Sequence, residues 1–284
     1  AYNRADRLPE LLDSVVSQRY PHWEVVICED GSAERPRIRE IVAGYAARFP
    51  GRFRYHENEE NLGYDGNFRE LIRRATGDYC FIMGNDDVVA PDALATVAHA
   101  LARYPDVGVI LRTVAYFRDT PSNVDTVVTF FRRVVTMSGL VFHREEALRH
   151  ATDRFDGTLF YQQHLAAHIL MHKHGVYLPQ VLAYFRLGGV PEFGKSARER
   201  GRFTPGHQPP DTSLRMLQAH LDIAEHAARA FGTDLRARVH RDLGRHMYPA
   251  FANQVHIPLR DYLRFYRDLL RMGFGRYPLV HVYA

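Results

Sequence analysis

Cysteine is scarce in this chain: two in 284 residues, Cys28 and Cys80, too few for a disulfide framework. Each sits inside an apolar run, reads as a small core residue and fits a reducing compartment. No run approaches the roughly 20 apolar residues of a transmembrane helix, and no signal-peptide pattern is visible. Strong charge imbalance is also missing, with 37 Lys+Arg against 33 Asp+Glu and a formal net of +4. The basic residues are mostly Arg, which suits phosphate or diphosphate recognition, although a compositional bias toward Arg is the stronger explanation. There is no internal repeat. What remains is an ordinary globular composition, 46% hydrophobic and 25% charged, in a chain long enough for one large domain or a domain plus a helical appendage.

The most informative stretch is Cys80-Phe81-Ile82-Met83-Gly84-Asn85-Asp86-Asp87. A short apolar strand runs straight into two adjacent carboxylates, which repel unless a cation or polar ligand sits between them. Hard oxygen ligands on a tight turn suit Mg²⁺ or Mn²⁺, which can bridge a diphosphate; the bland alternative is a surface turn. Upstream, Trp23-Glu24-Val25-Val26-Ile27-Cys28-Glu29-Asp30-Gly31-Ser32 is a second apolar strand ending in acids and a Gly-Ser turn. Between the two lies Asn61-Leu62-Gly63-Tyr64-Asp65-Gly66-Asn67-Phe68-Arg69, and before them comes Ala1-Tyr2-Asn3-Arg4.

Leu8, Leu11, Leu12, Val15 and Val16 recur at helical spacing, with Asp6 as a candidate N-cap. Further helices are expected over 36–48, 64–75, 91–103, 144–150 and 162–174, and strands over 24–28, 53–55, 79–83, 107–111 and 138–142. Residues 124–135 read as β structure. Alternating strands and helices predict an α/β fold with a mainly parallel sheet covered on both faces, and ligands collect at the carboxyl ends of such strands. Residues 188–210, rich in Gly, Pro and charge, read as a long loop, either lid or linker. From Thr212 the chain is helical. The expected division is 1–190, a loop at 191–210, and a helical C-terminal subdomain at 211–284.

Together the four N-terminal segments resemble the nucleotide-sugar-binding half of glycosyltransferase family 2, the GT-A (Rossmann-like) fold. The 61–67 and 84–87 segments are most similar to the abequosyltransferase-like enzymes of O-antigen assembly. The resemblance covers about the first 145 residues and implies an apolar strand preceding Tyr2. It implies metal-dependent transfer of a sugar, with inversion, from a nucleoside-diphosphate-sugar donor to a saccharide acceptor in bacterial surface-polysaccharide assembly. Tyr2 and Asp30 would meet the nucleoside, Arg4 a phosphate, and Asp65 and Asn67 the donor. Asn85 and Asp86 would face the ribose or sugar, and Asp87 would bind Mn²⁺ or Mg²⁺. The bland readings of Asp30, Arg4 and Asp65 are a turn former, an exposed Arg and a helix cap. Inverting members use an acidic base near residues 160–164, but Gln163 stands there, and an amide accepts no proton at neutral pH. Nearby candidates are His164, Asp156 and Asp153.

His164, His168 and His172 share one helix face at a spacing compatible with Zn²⁺, but no acid in the segment joins them and the interleaved Leu165, Ile169 and Leu170 read as packing. In the last long helix Leu259, Leu263, Tyr266 and Leu270 run beside Arg260, Arg264, Arg267 and Arg271. That pattern over 258–272 suits an anionic membrane surface or a core-packing helix. By resemblance the acceptor would be polyprenyl-diphosphate-linked and the protein cytoplasmic, docked on the inner membrane. Nucleotidyl transfer to a sugar phosphate is a competing enzyme class, though no Gly-rich loop of that group appears. A donor-binding but degenerate transferase, or a non-enzymatic saccharide- or nucleic-acid-binding module, are the others; the paired strand-end carboxylates argue against nucleic acid.

Overall fold

Leu8, Leu11 and Leu12 are buried on one face of α1 (Leu8–Val16), which begins after Arg7 with no side-chain cap, so Asp6 does not cap it. The computed structural model describes residues 1–112, 119–120, 124–131, 133–134, 136–186, 192–203 and 209–284. β1 (Val25–Glu29) pairs in parallel with β2 (Phe53–Glu57) across α2 (Arg35–Arg48). α3 (Gly63–Arg74) leads to β3 (Tyr79–Ile82), then β4 (Val88–Val89), α4 (Ala93–Arg103) and β5 (Val107–Arg112). β6 (Asp119–Thr120), α5 (Val124–Phe131), β7 (Leu140–His143), α6 (Arg144–Arg149), α7 (Tyr161–Ile169), β8 (His174–Leu178) and β9 (Ala183–Tyr184) follow.

The class is α/β as expected, with mixed strand directions. The larger sheet runs β3-β7-β5-β8-β6; β5 and β8 are parallel and the other neighbours antiparallel. β4 and β9 form a short antiparallel pair. Alternation along the central strands sets the layers. Val109, Leu111, Leu140 and Phe142 enter one buried cluster, while Ile110, Val141, Val176 and Leu178 enter another. A register shift between Val107 and Val109 turns Val107 to the side of Ile110.

Two expectations fail. Residues 124–131 form a helix, not β structure: Val127 and Phe131 are buried four residues apart, in the cluster that also holds Leu165 of α7 and Val239 of the C-terminal helices. Their β-branched composition favours strands only where a sheet is there to receive it. The helix expected over 162–174 stops at Ile169, and His174 already begins β8. In the expected loop at 188–210, residues 188–191 and 204–208 lie outside the described residues; the 192–203 segment folds as turns against α3.

The C-terminal part comprises α8 (Pro210–Phe231), α9 (Leu235–Arg245), α10 (Tyr248–Ala252), α11 (Leu259–Arg271), a 3₁₀ turn (Phe274–Arg276) and α12 (Pro278–Tyr283). Its buried Leu221, Phe265 and Phe274 share one cluster with Phe142, Tyr161 and Leu165, so these helices cover a sheet face rather than enclosing a core of their own. Among the described residues no helix is long and apolar enough to cross a membrane.

β1 and β3 do not pair with each other. A cavity of about 930 Å³ separates them, walled by Val25, Ile27, Cys80, Ile82, Leu12 and Phe68, with Asp30, Asn85 and Asp86 lining it at the carboxyl ends of the strands.

His220 of α8 packs at a tilt against Phe160, with ring centroids 4.3 Å apart, and its Nδ1 donates to Gln163 Oε1 at 2.6 Å. Burial lowers its pKa to about 4, whereas an unfolded histidine titrates near 6.5. Below pH 6.5 the unfolded state therefore takes up a proton that the folded state refuses. Its contribution is complete above that pH and is lost by roughly 1.4 kcal/mol per unit down to about pH 4. Urea midpoints measured between pH 7 and 4.5 should fall less steeply for His220→Gln, by about one proton in slope; equal slopes would exclude this role.

Candidate active site

The turn after β1 is built on buried acids. Glu29 accepts from Ser32 N at 2.7 Å, from Gly31 N at 3.1 Å and from the Arg35 guanidinium, and Gly31 supplies the positive φ (+74°) the turn needs. Asp30, 3% exposed, accepts through Oδ1 from Asn58 Nδ2 (2.8 Å) and Leu62 N (2.9 Å) and through Oδ2 from Gly63 N (3.0 Å). It thus satisfies backbone donors at the start of α3. Burial raises its pKa against the pull of those bonds. Asn67, one helical turn into α3, accepts from the same Asn58 amide at 3.0 Å and faces the cavity.

At the end of β3 the two neighbouring carboxylates part company. Asp86 lines the cavity and pairs through Oδ2 with Arg4 Nη1 at 2.5 Å. Asp87 is buried behind it: Oδ2 accepts from Ser138 Oγ (2.5 Å) and Oδ1 from Arg186 N (3.0 Å). Ser138 Oγ in turn accepts from Gly84 N at 2.8 Å. A Cβ built on Gly84 would stand 3.2 Å from both Asp86 Oδ1 and Asp87 Oδ2, so the two carboxylates converge over this glycine. Asn85 donates from Nδ2 to Asn3 O at 2.8 Å, which fixes its amide orientation. Asn3 and Arg4 both have positive φ, +51° and +58°. Two successive non-glycine residues there store strain of the kind found at ligand sites. Tyr2 also lines the cavity, with Lys195 Nζ 5.7 Å from its ring centre.

The 192–203 segment closes the mouth. Glu199 accepts from Tyr64 N at 2.6 Å and Gly194 N at 2.8 Å, and a Cβ on Gly63 would lie 2.5 Å from Ser196 Oγ. Glu192 lines the cavity and accepts from Asn3 Nδ2 at 3.3 Å and from Lys195. Burial works to raise its pKa, but Lys195, Asn3 and Arg4 hold it below the usual value.

Residues 1–159 match the family model described as Glycosyl transferase family 2. The chain belongs to that family. An abequosyltransferase of Salmonella typhimurium is 34% identical over 106 residues, 37% of this chain and 32% of that protein. The alignments with the first curated relatives span about a third or less of those proteins' lengths. The structure of S. aureus TarS 1-349 in complex with UDP-GlcNAc superposes with a TM-score of 0.67 at 15% identity, covering 100% of this chain and 85% of that one. The mannosyltransferase PcManGT from Pyrobaculum calidifontis, in complex with GDP-Man and Mn²⁺, gives 0.59 at 20% identity, covering 100% and 82%. At such identities these two establish the fold alone, which is GT-A.

Within this family-2 fold the structure brings Tyr2, Arg4, Asp30, Asn67, Asn85 and Asp86 to one cavity mouth. Asp65 does not join them. Its carboxylate is buried and accepts from Thr158 N, Leu159 N and Tyr161 N, each at 2.9 Å, capping the start of α7. Asp87, expected at the metal, is a buttress behind the cavity. Neither base candidate lines the cavity. His164 is 1% exposed, with its pKa lowered to about 4 by burial. Asp156 is held by Arg69 Nη1 and Nη2 (2.5 and 2.8 Å) and by Arg198 Nη1 (2.6 Å). Gln163 is buried, donating to Phe131 O and accepting from His220. Residues that sequence reasoning missed are Asn58, Ser138, Arg186, Glu192 and Glu199. Their bonding partners lie in distant segments, and no spacing rule connects them.

Asp87 is tied into the fold through Ser138 and Arg186, while Asp86 lines the cavity, so the two neighbours should differ in their effect on stability. Asp87→Ala strands the Ser138 hydroxyl and the Arg186 amide, a loss of about 1–3 kcal/mol, and thermal melts should show a drop of several degrees. Asp86→Asn should melt within about 2 °C of the parent. Equal shifts for both would contradict the division.

Proposed function

We propose that the protein transfers a sugar, with inversion, from a nucleoside-diphosphate-sugar to a saccharide hydroxyl in bacterial surface-polysaccharide assembly. The single observation that carries this reading is the convergence of Asp30, Asn67, Asn85, Asp86 and the strained Asn3-Arg4 pair on one mouth of a GT-A cavity. A UDP-sugar or a GDP-sugar with Mn²⁺ occupies the named fold neighbours, and the abequosyltransferase likeness supports a polysaccharide setting.

Tyr2 and Asp30 frame the nucleoside, and Arg4, beside Asp86, faces the diphosphate. A divalent cation, Mn²⁺ or Mg²⁺, bound at Asp86 with the Asn85 amide oxygen, would neutralise charge on the departing diphosphate. Glu192, the carboxylate of the closing segment at the mouth, takes the proton as the acceptor oxygen bonds to the anomeric carbon and the bond from that carbon to the diphosphate breaks. Its lowered pKa keeps it ionised and able to accept at neutral pH. The cavity between β1 and β3 is lined largely by apolar side chains, and Asp30 N donates to Ala1 O at 2.9 Å, which holds Tyr2 beside the turn after β1.

α11 supports the membrane reading. Leu259 and Leu263 are 72% and 55% exposed, with Arg260, Arg264, Arg267 and Arg271 exposed around them, while Phe265 and Leu269 hold the helix to the core. Such a face suits an anionic leaflet bearing a polyprenyl-diphosphate-linked acceptor.

Thermal-shift titration with UDP-, GDP-, CDP- and dTDP-species should give a shift with one nucleotide that grows with Mn²⁺ and disappears in Asp86→Asn. Glu192→Gln should keep that shift and lower kcat by about 10²–10⁴. Unchanged turnover in Glu192→Gln would remove Glu192 as base. Donor binding without turnover in the parent would favour the degenerate transferase, a reading that the buried Gln163 and the neutralised Asp156 also suit. Co-sedimentation with phosphatidylglycerol vesicles should fall at least tenfold for Leu259→Glu/Leu263→Glu and with rising salt; binding indifferent to both would exclude the membrane face.

A further inference from the structure

The histidine row at 164, 168 and 172 is broken by the fold. His172 lies beyond the end of α7 and places Nε2 2.7 Å from Glu146 Oε2. His226, from α8, takes its place: one ring nitrogen from each of His164, His168 and His226 lies within 4.8 Å of the others. Two backbone carbonyls fix the tautomers. His164 Nε2 donates to His150 O at 2.7 Å, which leaves a lone pair on Nδ1. That Nδ1 is buried and has no hydrogen-bond partner among the described residues, an expensive omission in a core. His168 Nδ1 donates to His164 O at 3.0 Å, leaving the lone pair on Nε2, which faces His226 Nδ1 at 3.1 Å.

We propose that His164, His168 and His226 form a transition-metal site, of the Zn²⁺ type, that joins α7 to the C-terminal helical layer through α8. Imidazole N–H groups donating to carbonyls while the opposite nitrogens converge is the outer-shell arrangement of metal-binding histidines. Two nitrogens on a tetrahedral Zn²⁺ lie roughly 3.3 Å apart, close to the observed His168–His226 separation. Burial lowers the pKa of His164 to about 4 and of His168 to about 3, so both are neutral, the ligating form, at pH 7. Phe155 and Phe231 pack on these rings, and the half-buried His226 gives access from the surface. Burial, and then the like charge of Arg154, disfavour the protonated form of His226, and the set has no carboxylate. It therefore selects an imidazole-preferring ion, not the Mg²⁺ or Mn²⁺ suited to Asp86.

The test is titration of chelator-treated, dialysed protein with Zn²⁺ and with Co²⁺. Expected are one equivalent bound, the intense visible absorption of four-coordinate Co²⁺, and a melting temperature raised by roughly 5 °C at a hundredfold excess over Kd. All three should vanish in His226→Gln, whose half-exposed position leaves folding intact by circular dichroism, and in His168→Gln. They should survive in Asp86→Asn and in excess Mn²⁺. Absence of stoichiometric binding, binding unaffected by His226→Gln, or binding abolished by His172→Gln would each overturn the proposal, the last by moving the ion to the set of Glu146, His150 and His172.

Discussion

A carboxylate taken out of water must find donors, and this fold uses that requirement to join distant segments. Asp30 fastens the turn after β1 to the start of α3, and Asp65 fastens α3 to the start of α7. Asp87 fastens the end of β3 to Ser138 and to the backbone of Arg186, while Glu199 fastens the closing segment to Tyr64. Helix starts carry unsatisfied N–H groups in any case, so each acid settles two needs at once. The cavity mouth is the place these fastened segments surround.

Acids in short motifs therefore carry two meanings that a sequence does not separate. Asp86 and Asp87 are neighbours of one type, yet only Asp86 faces the cavity. Both lie in the turn between β3 and β4, and the partners that turn Asp87 away, Ser138 and Arg186, come from far along the chain. Asp65 is the same case: its capping role is visible in the Asx-rich pattern, but the helix it caps is α7 rather than its own α3.

The α/β alternation, most helix positions and the cavity-facing Arg4, Asp30, Asn67 and Asp86 were legible because they rest on local periodicity and on strand-end acids. Residues 124–131 were not, since Val and Phe at helical spacing look like a strand until the helical layer that receives Val127 and Phe131 is in place. Glu192, which lines the cavity, was not legible for a different reason: it arrives on a segment without periodicity. His226 was likewise invisible, because its meeting with His164 and His168 depends on the packing of α8 against α7.

The fastenings form a continuous line from the cavity to the far side of the molecule. Asp30 holds α3, Asp65 on α3 holds α7, and His168 on α7 meets His226 on α8, whose neighbours carry the exposed face of α11. The links through Asp30 and Asp65 are buried, each carboxylate accepting three hydrogen bonds, which fits a site whose strained Asn3-Arg4 pair must be held in place from outside. The closing segment is tied to α3 through Glu199 and to the N-terminal turn through Glu192 and Asn3. On the proposed reading Glu192 is both a tie and the base, so cover and chemistry would be coupled through one residue.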